Sequence, residues 1–126
     1  MSQSRLSTGF QGEEFACRYL VGQGYRILDR NWRCREQSRY ELDIIARDGD
    51  TIVFCEVKTA KTRKFGPPVC WVTEQKARRI ACAAIEYIAE KTIMSTPFRF
   101  DVIGIEVDGD TRSVTHIRNA FAAPED

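Results

Sequence analysis

Three side chains near the middle of the chain have the types and spacing for metal-assisted hydrolysis. Asp43 lies in the alternating stretch Tyr40–Arg47, Glu56 and Lys58 lie in Thr51–Thr59, and Asp48-Gly49-Asp50 sits between the two stretches. Alternating apolar residues on both sides of an Asp-Gly signal predict a β-hairpin. A two-residue loop at Gly49-Asp50, or a four-residue loop from Asp48 to Thr51, sets Asp43 directly opposite Glu56 and Glu41 opposite Lys58. A turn at Asp48-Gly49 makes the two carboxylates diagonal neighbours, roughly 7–8 Å apart. A three-residue loop puts them on opposite faces. Facing carboxylates repel unless a cation lies between them, and Mg²⁺ or Mn²⁺ favours carboxylate oxygens plus water. Lys58 could then orient or activate a metal-bound water, or stabilise a phosphate oxyanion. The competing reading is a solvated sheet face with Glu41–Lys58 as a cross-strand ion pair.

The elements that must position these residues follow from periodicity. Phe15, Ala16, Tyr19 and Leu20 have helical spacing within Gly9–Gln23, with Gly24 as a stop. Tyr25–Cys34 reads as a strand, with Arg26, Arg30, Arg33, Arg35 and Arg39 in or just after it. On the hairpin, alternation places Leu42, Ile44 and Ala46 on one apolar face with Val53, Cys55 and Val57. The opposite face is apolar near the turn and charged away from it, which predicts a central hairpin covered on both sides. Residues 61–68 form a basic loop ending in Gly-Pro-Pro. A second helix begins near the N-cap Thr73 and is expected to bury Ala77, Ile80, Ala81, Ala84, Ile85 and Ile88. Strands Phe98–Val107 and Arg112–Arg118 follow. The expected fold is an α/β mixed sheet flanked by helices, in the order α-β-β-β-α-β-β, forming one domain over residues 1–119 with a flexible tail over 120–126.

Composition narrows the classes. The chain has 126 residues, 43% hydrophobic and 29% charged, a single-domain length with an ordinary globular balance. The longest apolar run, Ile80 to Ile85, is far too short to span a bilayer, and the first residues lack the apolar core of a secretion signal. A cytoplasmic protein without membrane attachment is therefore expected. Nineteen basic and eighteen acidic residues give a net charge of +1, so any nucleic-acid footprint must be local. Five cysteines without a C-x-x-C pair read as reduced thiols, with Cys55 and Cys82 expected in the core. With His116 the only histidine, zinc is not expected.

The ordered motifs resemble a known family. Gly9-x-x-Gly12-Glu13-x-x-Ala16-x-x-Tyr19-Leu20 and Gly24-Tyr25-x-Ile27-Leu28-x-Arg30-Asn31 are similar to the start of the YraN-like family of small bacterial proteins. Glu41-Leu42-Asp43-Ile44-Ile45-Ala46-Arg47-Asp48-Gly49 and Phe54-Cys55-Glu56-Val57-Lys58 match its central block. Phe65-Gly66-x-Pro68, Val72-x-x-x-Lys76-x-x-Arg79 and Arg99-Phe100-Asp101-Val102-Ile103 match the rest, although Trp71 stands where the family has a small residue. The resemblance implies a restriction-endonuclease-like fold of the PD-(D/E)xK superfamily, similar in layout to archaeal Holliday-junction resolvases. It places Asp43, Glu56 and Lys58 on metal and catalytic positions, and Glu13 on a metal-site glutamate of the first helix.

The remaining candidates each have two readings. Glu13, with Glu14, could instead serve the helix N-terminus. Lys61, Arg63, Lys64 and Lys76 could contact phosphates or simply be solvated. The arginines around Trp32 could bind a nucleic-acid backbone or guard a strand edge. Trp32 and Trp71 could stack on bases or pack in the core, and Asp101 could support the site or an ion pair. The membership of Gln75 and Glu41 in the site is open. The expected function is a Mg²⁺- or Mn²⁺-dependent nuclease acting on DNA, with branched or recombination intermediates as candidate substrates. The alternative is a non-catalytic nucleic-acid- or partner-binding module, and a homodimer is compatible with both.

Overall fold

A computed structural model describes residues 5–35, 40–61 and 71–123, with residues 5–11 described by their backbone alone. The elements are α1 (Arg5–Gly22), β1 (Arg26–Arg33), β2 (Glu41–Asp48), β3 (Thr51–Lys61), α2 (Glu74–Glu90), β4 (Phe98–Asp108) and β5 (Thr111–Phe121). The order α-β-β-β-α-β-β is the one expected. The strands form one sheet in sequence order, β1-β2-β3-β4-β5. All neighbours are antiparallel except β3 and β4. A parallel pair cannot be joined by a tight turn, and α2 supplies the crossover. No helix among the described residues is long and apolar enough to cross a membrane.

Each face of the sheet has its own core. On one side Ala16, Cys17 and Leu20 of α1 pack on Ile44, Ala46, Val53, Cys55, Ile103 and Ile105. On the other, Ile80, Ala81, Ala83, Ala84 and Tyr87 of α2 pack on Ile45, Ile52, Phe54 and Phe100. The hairpin β2–β3 is thus covered on both sides, as its two apolar faces require. Its turn is the two-residue Gly49-Asp50, closed by the Asp48–Thr51 pair. Gly49 has φ 60°, a left-handed conformation that glycine adopts at little cost.

Several expectations need correction. Ile85 is 62% exposed. Tyr87 donates a 2.7 Å hydrogen bond to Asp29 Oδ2 and sets its ring edge-on to Phe54 and Trp32. Those contacts turn α2 toward Ala83 and Tyr87, and Ile85 rotates outward. Cys82, on the same outer side, is exposed rather than in the core, while Cys17, Cys34 and Cys55 are buried free thiols. Leu42 packs with the α2 cluster, not with Ile44 against α1. Regular alternation fails there, where the β2–β3 ladder stops at Ile44 and Cys55 and Asn31 on the neighbouring strand has a left-handed φ of 52°. Strand β5 runs to Phe121, whose ring stacks on Phe100 at 4.9 Å, so the stretch read as a tail begins as paired strand.

Candidate active site

Strands β2 and β3 pair as far as Ile44 and Cys55. At the next position a side chain replaces the ladder: Asp43 Oδ2 accepts the Val57 amide at 2.9 Å. This pins Asp43 across from Glu56, as the two-residue turn dictates. Glu56 is buried, at 7% exposure. Burial foremost, then the Asp43 charge, drives its carboxyl up to about 8; a hydrogen bond between the two carboxyls adds to the rise, while Lys76 and Lys58 oppose it. The two carboxyl groups therefore converge at the point where β2 leaves the ladder, with two ammonium groups beside them. Lys76, on the first turn of α2, places Nζ 3.5 Å from Glu56 Oε2. Lys58 is half-buried two residues along β3.

The third carboxylate comes from α1. A β-carbon on Gly12 would collide with Thr59 Oγ1, so only glycine lets α1 approach β3 this closely. The next residue, Glu13, is thereby brought to the edge of the site. Its carboxyl is raised by burial and then by Asp43, while the Asn31 side chain and the Arg30 charge counter the rise. Because α1 begins at Arg5, Glu13 and Glu14 lie more than two turns inside the helix. Favouring the helix N-terminus, which acts only over the first turn, is thus not their role. Glu14 instead pairs with Arg30 at 3.4 Å. Among the described residues no three Asp, Glu, His or Cys side chains form a preassembled metal cluster. Glu13 is near enough to feel Asp43, but it is held by Asn31.

The structure separates the other candidates. Glu41 pairs with Arg33 at 3.0 Å, so the structure carries this ion pair within β1–β2. Arg35 pairs with Glu90 at 3.0 Å, and β1 is a sheet edge, which accords with arginines guarding that edge. Lys61 is exposed at the end of β3, and Gln75 is exposed on the first turn of α2. Arg39, Arg63 and Lys64 lie outside the described residues. Trp71 is buried, and a β-carbon on Gly104 would sit 2.5 Å from its ring. The indole therefore packs against β4 at Gly104, the register partner of Lys58. Trp32 packs edge-on to Tyr87 and donates to Glu90 at 3.2 Å.

Asp101 is fully buried, but its partners are elsewhere. It accepts from Arg99 Nε at 3.0 Å and from the Asn119 amide at 2.9 Å, and lies 2.7 Å from His116 Nε2. His116 Nδ1 is 3.0 Å from the Tyr19 hydroxyl. Burial alone would raise the Asp101 carboxyl, yet these partners hold it below the usual carboxylate range. Asp101 thus anchors an ion-pair network that ties β4 and β5 to α1. Sequence reasoning gave no role to Asn31. The signal was available, since asparagine is among the few residues that readily take left-handed backbone.

The sequence matches, over residues 12–105, the family described as the uncharacterised protein family UPF0102. A UPF0102 protein of Geobacter metallireducens is 46% identical over 121 residues, covering 96% of this chain and 97% of the relative. One of Geotalea uraniireducens is 47% identical over 116 residues, covering 91% and 89%. One of Rhodococcus opacus is 43% identical over 118 residues, covering 92% and 97%. The matched segment contains Glu13, Asp43, Glu56, Lys58 and Lys76, so the whole candidate site lies within it. The chain belongs to the UPF0102 family.

Proposed function

We propose that this protein is a metal-dependent nuclease that hydrolyses DNA phosphodiesters, with branched or recombination intermediates as its candidate substrates. The observation that carries the reading is the convergence of Asp43 and buried Glu56, with Lys58 and Lys76 beside them, where β2 leaves β3. The resemblance of the ordered motifs to the restriction-endonuclease-like superfamily adds to it, because Asp43 and Glu56-x-Lys58 fall on that superfamily's signature.

The donor set fits a hard divalent cation. Two carboxyls that offer only oxygen donors are held together in a largely buried place, which suits Mg²⁺ or Mn²⁺ better than a thiophilic metal. Asp43 and Glu56 would hold the ion, with Glu13 a further contributor from α1. Such an ion, when bound, lowers the pKa of water and neutralises charge developing on a phosphate. The chain supplies the rest. The Val57 amide fixes the rotamer of Asp43, so that carboxylate is oriented before any ligand arrives. Lys58 offers a compact ammonium to the attacking water or to the phosphate oxygens. Trp71 packs on Gly104 beside Lys58. Lys61, Arg63, Lys64 and Lys76 are the proposed contacts to the nucleic-acid backbone.

The test is a cleavage assay on linear duplex, single-stranded and four-way-junction DNA with Mg²⁺ or Mn²⁺, with chelator as control. Metal-dependent cutting of at least one form is expected. Binding of one form without cutting of any would favour a non-catalytic binding module instead.

A further inference from the structure

Lys76 joins the second helix to the carboxylate pair. Its backbone amide donates to Thr73 Oγ1 at 3.1 Å, which caps α2 and fixes the first turn. Helical side chains lean toward the N-terminus, and from this turn the ammonium reaches Glu56 Oε2 at 3.5 Å. The two ends of this ion pair differ. The Glu56 side chain is 9% exposed and locked in the sheet, whereas that of Lys76 is 41% exposed. A buried carboxylate without a cation is costly, and Lys76 and Lys58 offset part of that cost.

We infer that Lys76 is the resident counter-ion of the Asp43–Glu56 pair, releasing Glu56 when a divalent cation is taken up and then facing a substrate phosphate. The inference rests on the metal-dependent reading above. With Glu56 ionised, two carboxylates balance two ammonium groups. Uptake of a divalent cation leaves positive charge in excess, and the half-exposed Lys76 is the group free to leave. Its flexible four-carbon stem keeps it near, where the surplus charge suits an anionic phosphodiester. Lys76 is therefore a built-in competitor of the metal.

The experiment is Mg²⁺ calorimetry at pH 9. Lys76→Met should bind Mg²⁺ about 5–20-fold more tightly than wild type, and Lys76→Arg should match wild type. Lys76→Gln serves as a second neutral variant should Lys76→Met fold poorly. Equal or weaker affinity in the neutral variants, with Asp43→Asn still abolishing binding, overturns the counter-ion role and leaves the metal site standing. No Mg²⁺ binding by wild type overturns both. A second arm measures duplex DNA binding in a Lys58→Ala background. Lys76→Met should weaken it with Mg²⁺ present and leave it unchanged in chelator, and an equal loss in both conditions contradicts the release step.

Discussion

Replacing Glu56 by glutamine should make the protein more stable, and more so as pH rises. The Glu56 carboxyl is raised from 4.5 to about 8, by burial first and by Asp43 second. In the unfolded chain it titrates near the ordinary glutamate value. Between those limits the folded state holds a proton that the unfolded state has released. Stability therefore falls as pH climbs from about 4.5 to 8, because the slope follows the protons bound by the unfolded state minus those bound by the folded. A shift of this size is worth on the order of 3–5 kcal/mol. Glutamine has the same shape, carries no charge, and can donate to Asp43. Glu56→Gln should thus equal wild type in stability near pH 4.5 and exceed it by roughly 3–5 kcal/mol at pH 8.5. For a chain of this length that is roughly 10–20 °C in Tm. Differential scanning calorimetry of both proteins across this range is the assay, and groups that titrate identically in the two cancel. Saturating Mg²⁺ should raise Tm for wild type at pH 8.5 and leave the variant unmoved. A Tm difference independent of pH, or a variant less stable at pH 8.5, would refute the picture of a carboxylate held in a costly environment.

Other expectations bear on separate parts of the site. Asp43→Asn keeps an oxygen for the Val57 amide but loses the charge, so it should fold normally, bind no Mn²⁺ by calorimetry, and let Glu56 ionise at lower pH by carbon-13 NMR. Gly12→Ala forces a methyl group onto Thr59; it should cost roughly 1–3 kcal/mol in urea unfolding and weaken Mn²⁺ binding by displacing Glu13. Neutralising Lys61, Arg63 and Lys64 together should lower DNA affinity for all sequences alike and reduce the slope of log affinity against log salt by up to about three. An unchanged slope marks these residues as solvated surface.

What could be read from the sequence was local. Asp48-Gly49-Asp50 marked the hairpin and left three arrangements open, of which the structure takes the two-residue turn that sets Asp43 opposite Glu56. The order of helices and strands along the chain followed from alternation and helical spacing, whereas the arrangement of the strands within the sheet did not. What escaped depended on contacts between elements distant in sequence. The rotation of α2 is set by Tyr87 reaching Asp29 on β1, so no helical-wheel argument could turn Ile85 outward. The side taken by Leu42 goes with the end of the β2–β3 ladder at Ile44, which only the paired strands reveal. Lys76 was legible as a basic group on α2, but its pairing with Glu56 is a tertiary fact. Glu13 became interpretable only once α1 was seen to begin at Arg5, which removes the helix-end explanation for its charge.

In the proposed reaction a divalent cation held by Asp43 and Glu56, with the ammonium of Lys58, drives phosphodiester hydrolysis. Single-turnover cleavage by wild type and Lys58→Ala, run beside Mn²⁺ calorimetry and DNA-binding measurements on the same preparations, tests it most directly. Lys58→Ala should lose at least about 100-fold in rate, the scale of one transition-state charge contact, while metal and DNA affinities stay within about twofold. Lys58→Arg should recover only part of the rate, since a planar fork does not replace a compact ammonium. Cleavage by Lys58→Ala as fast as by wild type would contradict the account and assign the activity to another site.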